Sequence, residues 1–386
     1  MDSTFRHPTT SFPQPRFARK NLGSFELRIE HDQAKNAFGP QANLTALLNF
    51  NGPIDLLKRF TDTSLPYTDT ETFGQALISG EMSTLQYNFT CTQNFGSHFF
   101  ISGSTVLSTD TLKNLLIQPI KNSCLLTSQT EIDANPAFKT YLQDLTDLLT
   151  AQNCNNTITQ NNLGPSVFTL GYTTSLQDFE RFDFIDITTQ AGFCIPLTIL
   201  DHDQPTLSAF PFTHNVNLGI PIMLSTAFGF YDWLNLGATG LAIFYLKNDR
   251  IIPLSTTATN NVLISEQGFT QVHHRPFLYL NAYLEAEQLI PRFTCLFGVS
   301  YEKQGVTCYN ASDQTKFPND LINKYPTHHS WERVNFIFSG ELDLANETSK
   351  IMPRIKCMYV LPIWGVSVCK TSELMGQFAI ECAYSF

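Results

Sequence analysis

The chain has 386 residues, and 15% of them are charged, whereas soluble domains usually carry about 25%. Its aromatic content of 12% excludes an intrinsically disordered protein, because such chains are rich in charge and poor in aromatic side chains. The net charge of −10, without any cluster of Lys and Arg, excludes a nucleic-acid partner, which would select a basic stripe.

The first element in chain order is a polar, Pro-containing N-terminal segment, residues 1–20. It lacks the apolar core of roughly 7–15 residues that a signal peptide would contain. Either the protein is not exported or, as we expect, an export signal was removed before residue 1. Residues 21–386 are predicted to form one domain.

From residue 22 onwards, apolar side chains recur at every second position, which is typical of β-strands. Strands of soluble proteins have about 5–6 residues and membrane-crossing strands about 9–11, so segments of roughly 11–16 residues favour a membrane. The pattern predicts about twelve strands, at 22–31, 80–92, 95–107, 165–176, 182–196, 217–230, 232–247, 272–288, 290–304, 329–344, 350–362 and 373–386.

The segment 218–246 allows a second interpretation, because Asp232 is its only charged residue and a transmembrane helical hairpin would also be apolar. Pro221 and several glycines oppose helices. Leu234 and Leu236 also alternate with Asn235 and other polar residues. This alternation favours strands.

The connections between the predicted strands alternate between short and long. The short ones lie near 93–95, 177–181, 231, 288–291 and 345–350, and the long ones at 32–79, 108–164, 197–216, 248–271 and 305–328, with a shorter one at 365–372. An even number of strands then leaves both termini on the side of the short connections. Short periplasmic turns and long outer loops are typical of outer-membrane barrels.

Two helices are predicted inside the long connections. One begins at Asn135-Pro136, with Pro at the first helical position, and presents an apolar face as far as residue 150. A shorter one is predicted at 53–60. We expect the two to pack together and to narrow the outer mouth of the barrel.

The C-terminal sequence Phe378-x-Ile380-x-Cys382-x-Tyr384-x-Phe386 resembles the assembly signal of bacterial outer-membrane β-barrels. The strands at 181–197, 218–247 and 331–386 also resemble uncharacterised porin-like barrels of intracellular Gram-negative bacteria, and the resemblance covers about residues 21–386.

This resemblance implies an all-β fold, a closed antiparallel transmembrane barrel of about twelve strands with short helices in its long outer loops. It implies a location in the bacterial outer membrane, contact with outer-membrane lipid, and recognition of Phe386 by the barrel-insertion machinery. It allows an oligomer and implies no cofactor.

Charged side chains on the inward faces are the candidate functional residues, because twelve strands enclose a wider interior than the eight-stranded barrels that side chains fill. Pairing across the short turns predicts contacts of Glu341 with Arg354 and of Glu287 with Arg292, and Glu381 is predicted to approach Arg28 across the closing seam. Arg354 lies between the strands that carry Glu341 and Glu381, so we expect its charge to be matched from both sides. The predicted pore-lining residues are Glu26, Arg28, Glu285, Glu287, Arg292, Glu341, Arg354, Lys356 and Glu381. A polar plug of ion pairs is the alternative interpretation of the same charges.

The sequence therefore predicts a passive, porin-like pore for small polar solutes. The alternative is a non-conducting barrel whose long loops bind a partner, and a secreted β-sandwich is a third possibility. An enzyme is not expected, because the chain has no Gly-x-Ser-x-Gly motif. A metal site is not expected either, because the pairs His273-His274 and His328-His329 would each point to opposite faces of a strand.

Overall fold

The computed structural model describes residues 22–49, 54–55, 75–96, 98–119, 157–177, 182–196, 217–230, 233–254, 266–290, 292–323, 330–344 and 351–383. Twelve long antiparallel strands form a closed barrel in which sequence neighbours are also spatial neighbours. The first wall strand pairs with both the second and the last, which closes the cylinder. The predicted fold class is confirmed.

The twelve wall strands have the following bounds. They are β1 (Leu22–Phe38), β2 (Gln75–Phe95), β3 (Phe99–Pro119), β4 (Ser166–Gln177), β5 (Phe184–Ile195), β6 (Gly219–Phe230), β7 (Leu234–Tyr245), β8 (Phe277–Ile290), β9 (Phe293–Gln304), β10 (Trp331–Asp343), β11 (Ile351–Val366) and β12 (Val368–Ala383). The segment 218–246 is thus a pair of strands, β6 and β7, and not a helical hairpin.

The alternation seen in the sequence sorts side chains to the two faces of the wall. Large apolar residues such as Leu280, Phe338 and Leu374 point outward and are 57%, 45% and 51% exposed, whereas intervening residues such as Asn281, Arg333 and Glu373 are buried. An exposed apolar belt around a closed barrel is the surface that a lipid bilayer requires.

Short and long connections alternate as predicted, with one difference between β11 and β12. The sequence predicts a connection at 365–372, but Ser367 alone joins the two strands. Its φ of 52° lies in the left-handed region and bends the chain there, although the two strands pair with each other only as far as Val360 and Glu373. Both strands nevertheless extend to the residues beside Ser367.

A small second sheet rises above β7, β8 and β9 on the side of the long connections. It consists of Asn248–Leu254, Glu266–His274 and Thr307–Ala311, and it packs with the short helix α1 (Asn319–Ile322) on its own apolar core. The strand predicted at 272–288 is therefore two strands. Pro276, which lacks a backbone N–H, lies at the break between them.

The helices predicted in the long connections are only partly within the described residues. Ile54–Asp55 pairs with β2 as a two-residue strand, so the helix predicted for 53–60 is wrong at these residues. The helix predicted at 135–150, the N-terminal segment 1–20 and Phe386 all lie outside the described residues. No helix in the described part of the chain is long and apolar enough to cross a membrane.

Candidate functional site in the barrel interior

The interior of the barrel is layered along its axis. At the end of the barrel where the long connections emerge, inward side chains from many wall strands form an outer apolar layer. This layer comprises Phe38, Val167, Cys194, Met223, Leu241, Ile243, Tyr245, Phe277, Trp331 and Val368. The strand bounds show this position, since Phe38 is the last residue of β1, and Trp331 and Val368 are the first residues of β10 and β12.

A middle charged layer is centred on Arg333, whose side chain is fully buried. Its Nη2 lies 3.1 Å from Oε2 of Glu302 and 3.2 Å from Oε1 of Glu373. Asn335 donates to the other oxygen of Glu302 at 2.9 Å. Burial without partners would strongly disfavour these charges, and the reciprocal contacts offset that cost.

The same layer extends across the seam between β12 and β1. Asp32 lies opposite Glu373 in the register, and carboxylate oxygens of Glu30, Asp32 and Glu373 lie within 4.8 Å of one another. Gln86 donates to Asp32 at 3.0 Å. These three carboxylates are close enough to share a cation, although acidic clusters also occur without one.

A lower charged layer lies nearer the short turns and contains most of the predicted site residues. On one side, Arg354 forms ion pairs with Glu341, at 3.2 Å, and with Glu381. Glu26 accepts a hydrogen bond from Gln377 at 2.9 Å. Arg354 therefore joins the strands on both of its sides, as its position between them predicted.

The opposite wall of the lower layer is acidic. Asn235 on β7 donates to Glu285 at 3.5 Å and to Glu287 at 2.8 Å, both on β8. Asp186 on β5 also faces the interior, and it lies close enough to Glu287 to interact electrostatically. This wall is thus acidic, whereas the wall that carries Arg354 and Lys356 combines basic side chains with the carboxylates of Glu341 and Glu381.

The predicted pairings had mixed outcomes. The contact of Glu341 with Arg354 is confirmed, although it is diagonal, because the register places Lys356 directly opposite Glu341. The approach of Glu381 to Arg28 is wrong. Arg28 lies opposite Gln377, and Glu381 lies opposite Ser24, further along the seam.

The predicted pairing of Glu287 with Arg292 does not match the strand geometry. Arg292 lies in the turn between β8 and β9 with a φ of 69° and an exposed side chain. It therefore marks the rim of the barrel, whereas Glu287 faces the interior and accepts from Asn235.

Sequence reasoning missed the middle charged layer. The alternation along β1 places Glu30 on the inward face together with Glu26 and Arg28, and this is the sequence signal that points to a charged group at this level. Recognising the contacts of Arg333 with Glu302 and Glu373 requires the relative stagger of β9, β10 and β12, which alternation alone does not give.

The adjacent histidines of the outer sheet point to opposite faces, as the strand geometry predicted. His274 is buried, with Nδ1 2.9 Å from Oγ1 of Thr307, and its ring contacts that of Tyr245. His273 lies on the other face. The pair His328-His329 lies outside the described residues.

Comparison with solved structures identifies the same architecture. An outer-membrane channel from Pseudomonas putida F1 matches over 97% of this chain and 99% of its own, with 8% identity and a TM-score of 0.51. The NanC porin matches over 81% of this chain and 99% of its own, with 8% identity and a TM-score of 0.32. No protein-family model and no curated protein sequence matches the chain.

The closed twelve-stranded wall, with its apolar belt and charged interior, has the fold of the outer-membrane channels. This is the fold that the resemblance implied. The location in the bacterial outer membrane agrees with the same fold and belt.

Proposed function

We propose that the barrel is a passive pore for small polar solutes. The observation that carries this proposal is the chemistry of the inward face, where the wall strands present two charged layers while their outward faces remain apolar. Charged groups inside a barrel can interact with a hydrated solute that crosses through the interior, and they make no contact with lipid.

The uneven distribution of charge in the lower layer supports selection among solutes. Glu285, Glu287 and Asp186 form an acidic wall, whereas Arg354 and Lys356 lie on a wall that also carries Glu26, Glu341 and Glu381. A polar solute that enters between these walls exchanges water for fixed charges. The outer apolar layer above them restricts the pore to small solutes.

Single-channel recording in a planar bilayer tests this proposal. We expect the folded barrel to give discrete conductance steps. Because the acidic wall attracts cations, the double change Glu285→Gln with Glu287→Gln is expected to lower the ratio of cation to anion permeability. Glu81→Gln is the matched control, because Glu81 pairs with Lys35 on the exposed outer surface and not in the interior. An equal effect of both variants would contradict a role for the inward carboxylates.

A second candidate function is a non-conducting barrel whose long loops bind a partner. It is favoured by the burial of the middle layer, where Arg333, Asn335 and Asp110 are each 0% exposed. Under this interpretation the ion pairs fill the interior. A correctly folded barrel that never conducts, with or without the interior charges, would contradict the pore and favour this second function.

A further inference from the structure

A group of basic side chains lies on the outer surface where the barrel wall meets the small second sheet. Lys247 follows β7, and Arg275 lies between the sheet strand Glu266–His274 and β8. Both side chains are exposed. His273 lies beside them on the sheet face opposite the buried His274. We call these three residues the basic rim patch.

The three side chains of the basic rim patch are close enough to interact electrostatically. Burial, the positive charges of Lys247 and Arg275, and His274 together lower the pKa of His273. Among the described residues, neither Lys247 nor Arg275 forms an ion pair, whereas the nearby Lys303 contacts Glu332 at 3.6 Å. Asp249, two residues beyond Lys247 on the same edge of the sheet, accepts a hydrogen bond from its cross-strand partner Gln271 at 3.2 Å. With Lys247 and Arg275 beside this one carboxylate, the patch keeps a net positive charge.

The patch is continuous with the lipid-facing wall. Directly below it, Phe244, Leu246, Leu278 and Leu280 point outward and are between 42% and 57% exposed. Two charged side chains also point outward at this height. Lys303 on β9 lies opposite Leu278 on β8, and Glu332 on β10 lies opposite Lys303. Since charged groups do not face hydrocarbon, the apolar core of the bilayer ends at this level.

A second apolar surface continues above the patch. Ile251 and Phe269 are cross-strand partners on the outward face of the small sheet, and they are 41% and 53% exposed. Apolar side chains therefore lie both below and above the basic groups, with the polar pair Asp249 and Gln271 between the patch and Ile251. A soluble anion would use the charges alone, whereas an amphiphile would contact the wall and the charges together.

We propose that the basic rim patch binds the phosphate groups of an anionic lipid of the outer leaflet, with the acyl chains of that lipid lying against the wall at β7 and β8. Two observations select a lipid as the occupant: the patch lies where the apolar belt ends, and its positive charge complements a phosphate. The inference does not depend on conduction through the barrel.

The test compares lipid binding by the wild-type barrel and by the double variant Lys247→Gln with Arg275→Gln in nanodiscs of neutral phosphatidylcholine. Phosphorylated lipid A is titrated into the discs, and bound lipid is counted by native mass spectrometry. Two lost charges imply an affinity that is weaker by about thirtyfold. Dephosphorylated lipid A is expected to bind the wild type as weakly as phosphorylated lipid A binds the variant.

Two further variants make the result specific. Arg292→Gln removes an exposed charge at the opposite end of the barrel and is expected to leave the affinity unchanged. Lys247→Arg with Arg275→Lys keeps both charges and is expected to retain binding, which separates lost charge from lost folding. Wild-type affinity in the Gln double variant, or equal binding of the dephosphorylated lipid, would overturn the proposal.

Discussion

Arg354 shows how a single inward residue couples three wall strands. Its guanidinium contacts Glu341 on β10 and Glu381 on β12, and the residue is 8% exposed. Removing the guanidinium would leave two largely buried carboxylates without it. Removal of one partner of a buried ion pair lowers the free energy of unfolding by about 3–5 kcal/mol. We therefore expect Arg354→Met to lower the free energy of unfolding in lipid vesicles by about 3 kcal/mol.

The compensating change must neutralise both carboxylates. The triple variant Arg354→Met, Glu341→Gln and Glu381→Gln is expected to recover most of the lost stability. Urea titration of the barrels in lipid vesicles measures the free energy of unfolding of both variants. A triple variant as unstable as Arg354→Met alone would show that the two ion pairs do not account for the effect. The position of Arg354 between the strands that carry Glu341 and Glu381 predicts both ion pairs, and the sequence reasoning is wrong only in also assigning Arg28 as a partner of Glu381.

Inward glycines support aromatic side chains on neighbouring strands. Gly171 lies directly opposite Phe100 in the register, and a Cβ on Gly171 would lie 2.0 Å from the ring. Gly237 supports Tyr283 in the same way, with a distance of 2.1 Å. Glycine in a strand often marks such a close approach.

The Gly171 position yields a stability prediction. Phe100 is fully buried, so Gly171→Ala forces its ring out of place, and we expect a loss of about 1–3 kcal/mol in the free energy of unfolding. Gly376→Ala is the control, because no atom lies within 4 Å of a Cβ added there. Equal stability of the two variants in urea titrations would contradict the proposed packing.

At the scale of the strand, alternation decides which face a substitution reaches. Phe338 points outward and is 45% exposed, and the next residue, Ser339, points inward opposite Leu296 and Met358. A basic residue on the lipid face near the bilayer midplane costs roughly 2–4 kcal/mol. Phe338→Arg is therefore expected to impair insertion, and Ser339→Arg is expected to be tolerated.

Folding into vesicles measures this difference, because a folded barrel and its unfolded chain migrate differently on unheated gels. Similar yields of folded barrel for Phe338→Arg and Ser339→Arg would show that the assignment of the faces is wrong. The same pair of variants also tests the register of β10 with β9, where Phe297 and Phe338 contact each other across the strands.

The success of sequence reasoning at this scale has a physical cause. A side-chain period of two determines the face of every residue in a wall strand, so alternation alone places Glu285, Glu341 and Arg354 inward. The stagger between strands is set by pairing along the whole wall, and alternation carries no information about it. For this reason alternation assigns Glu381 to the wrong partner and misses the contacts of Arg333.

The connections are harder to predict for a related reason. The strands β11 and β12 are joined by Ser367 alone, which adopts positive φ, whereas the turn signal of Gly365 predicts a connection that begins two residues earlier. The outer sheet is also hidden, because its strand Glu266–His274 runs almost directly into β8. The break at Pro276 is the one local signal.

At the scale of the whole molecule, the outer apolar layer lies between the long connections and the charged layers. Phe277 and Trp331 belong to this layer, with ring centroids 6.1 Å apart, and they are 1% and 6% exposed. A ring of apolar side chains in a pore disfavours water and ions, and such hydrophobic constrictions can limit conduction. The charged layers below would then be reached only through this constriction.

We therefore expect Phe277→Ala with Trp331→Ala to raise the single-channel conductance by about twofold or more, because removal of two large rings widens the constriction and lowers its barrier to water. Phe297→Ala with Phe338→Ala is the matched control, since it removes two rings in mutual contact on the lipid-facing side of the same wall. Both variants lose apolar area, so a common effect would reflect weakened folding. An unchanged conductance in a correctly folded Phe277→Ala, Trp331→Ala barrel would instead show that the apolar layer packs the barrel end without limiting passage, and that the charged layers control the pore.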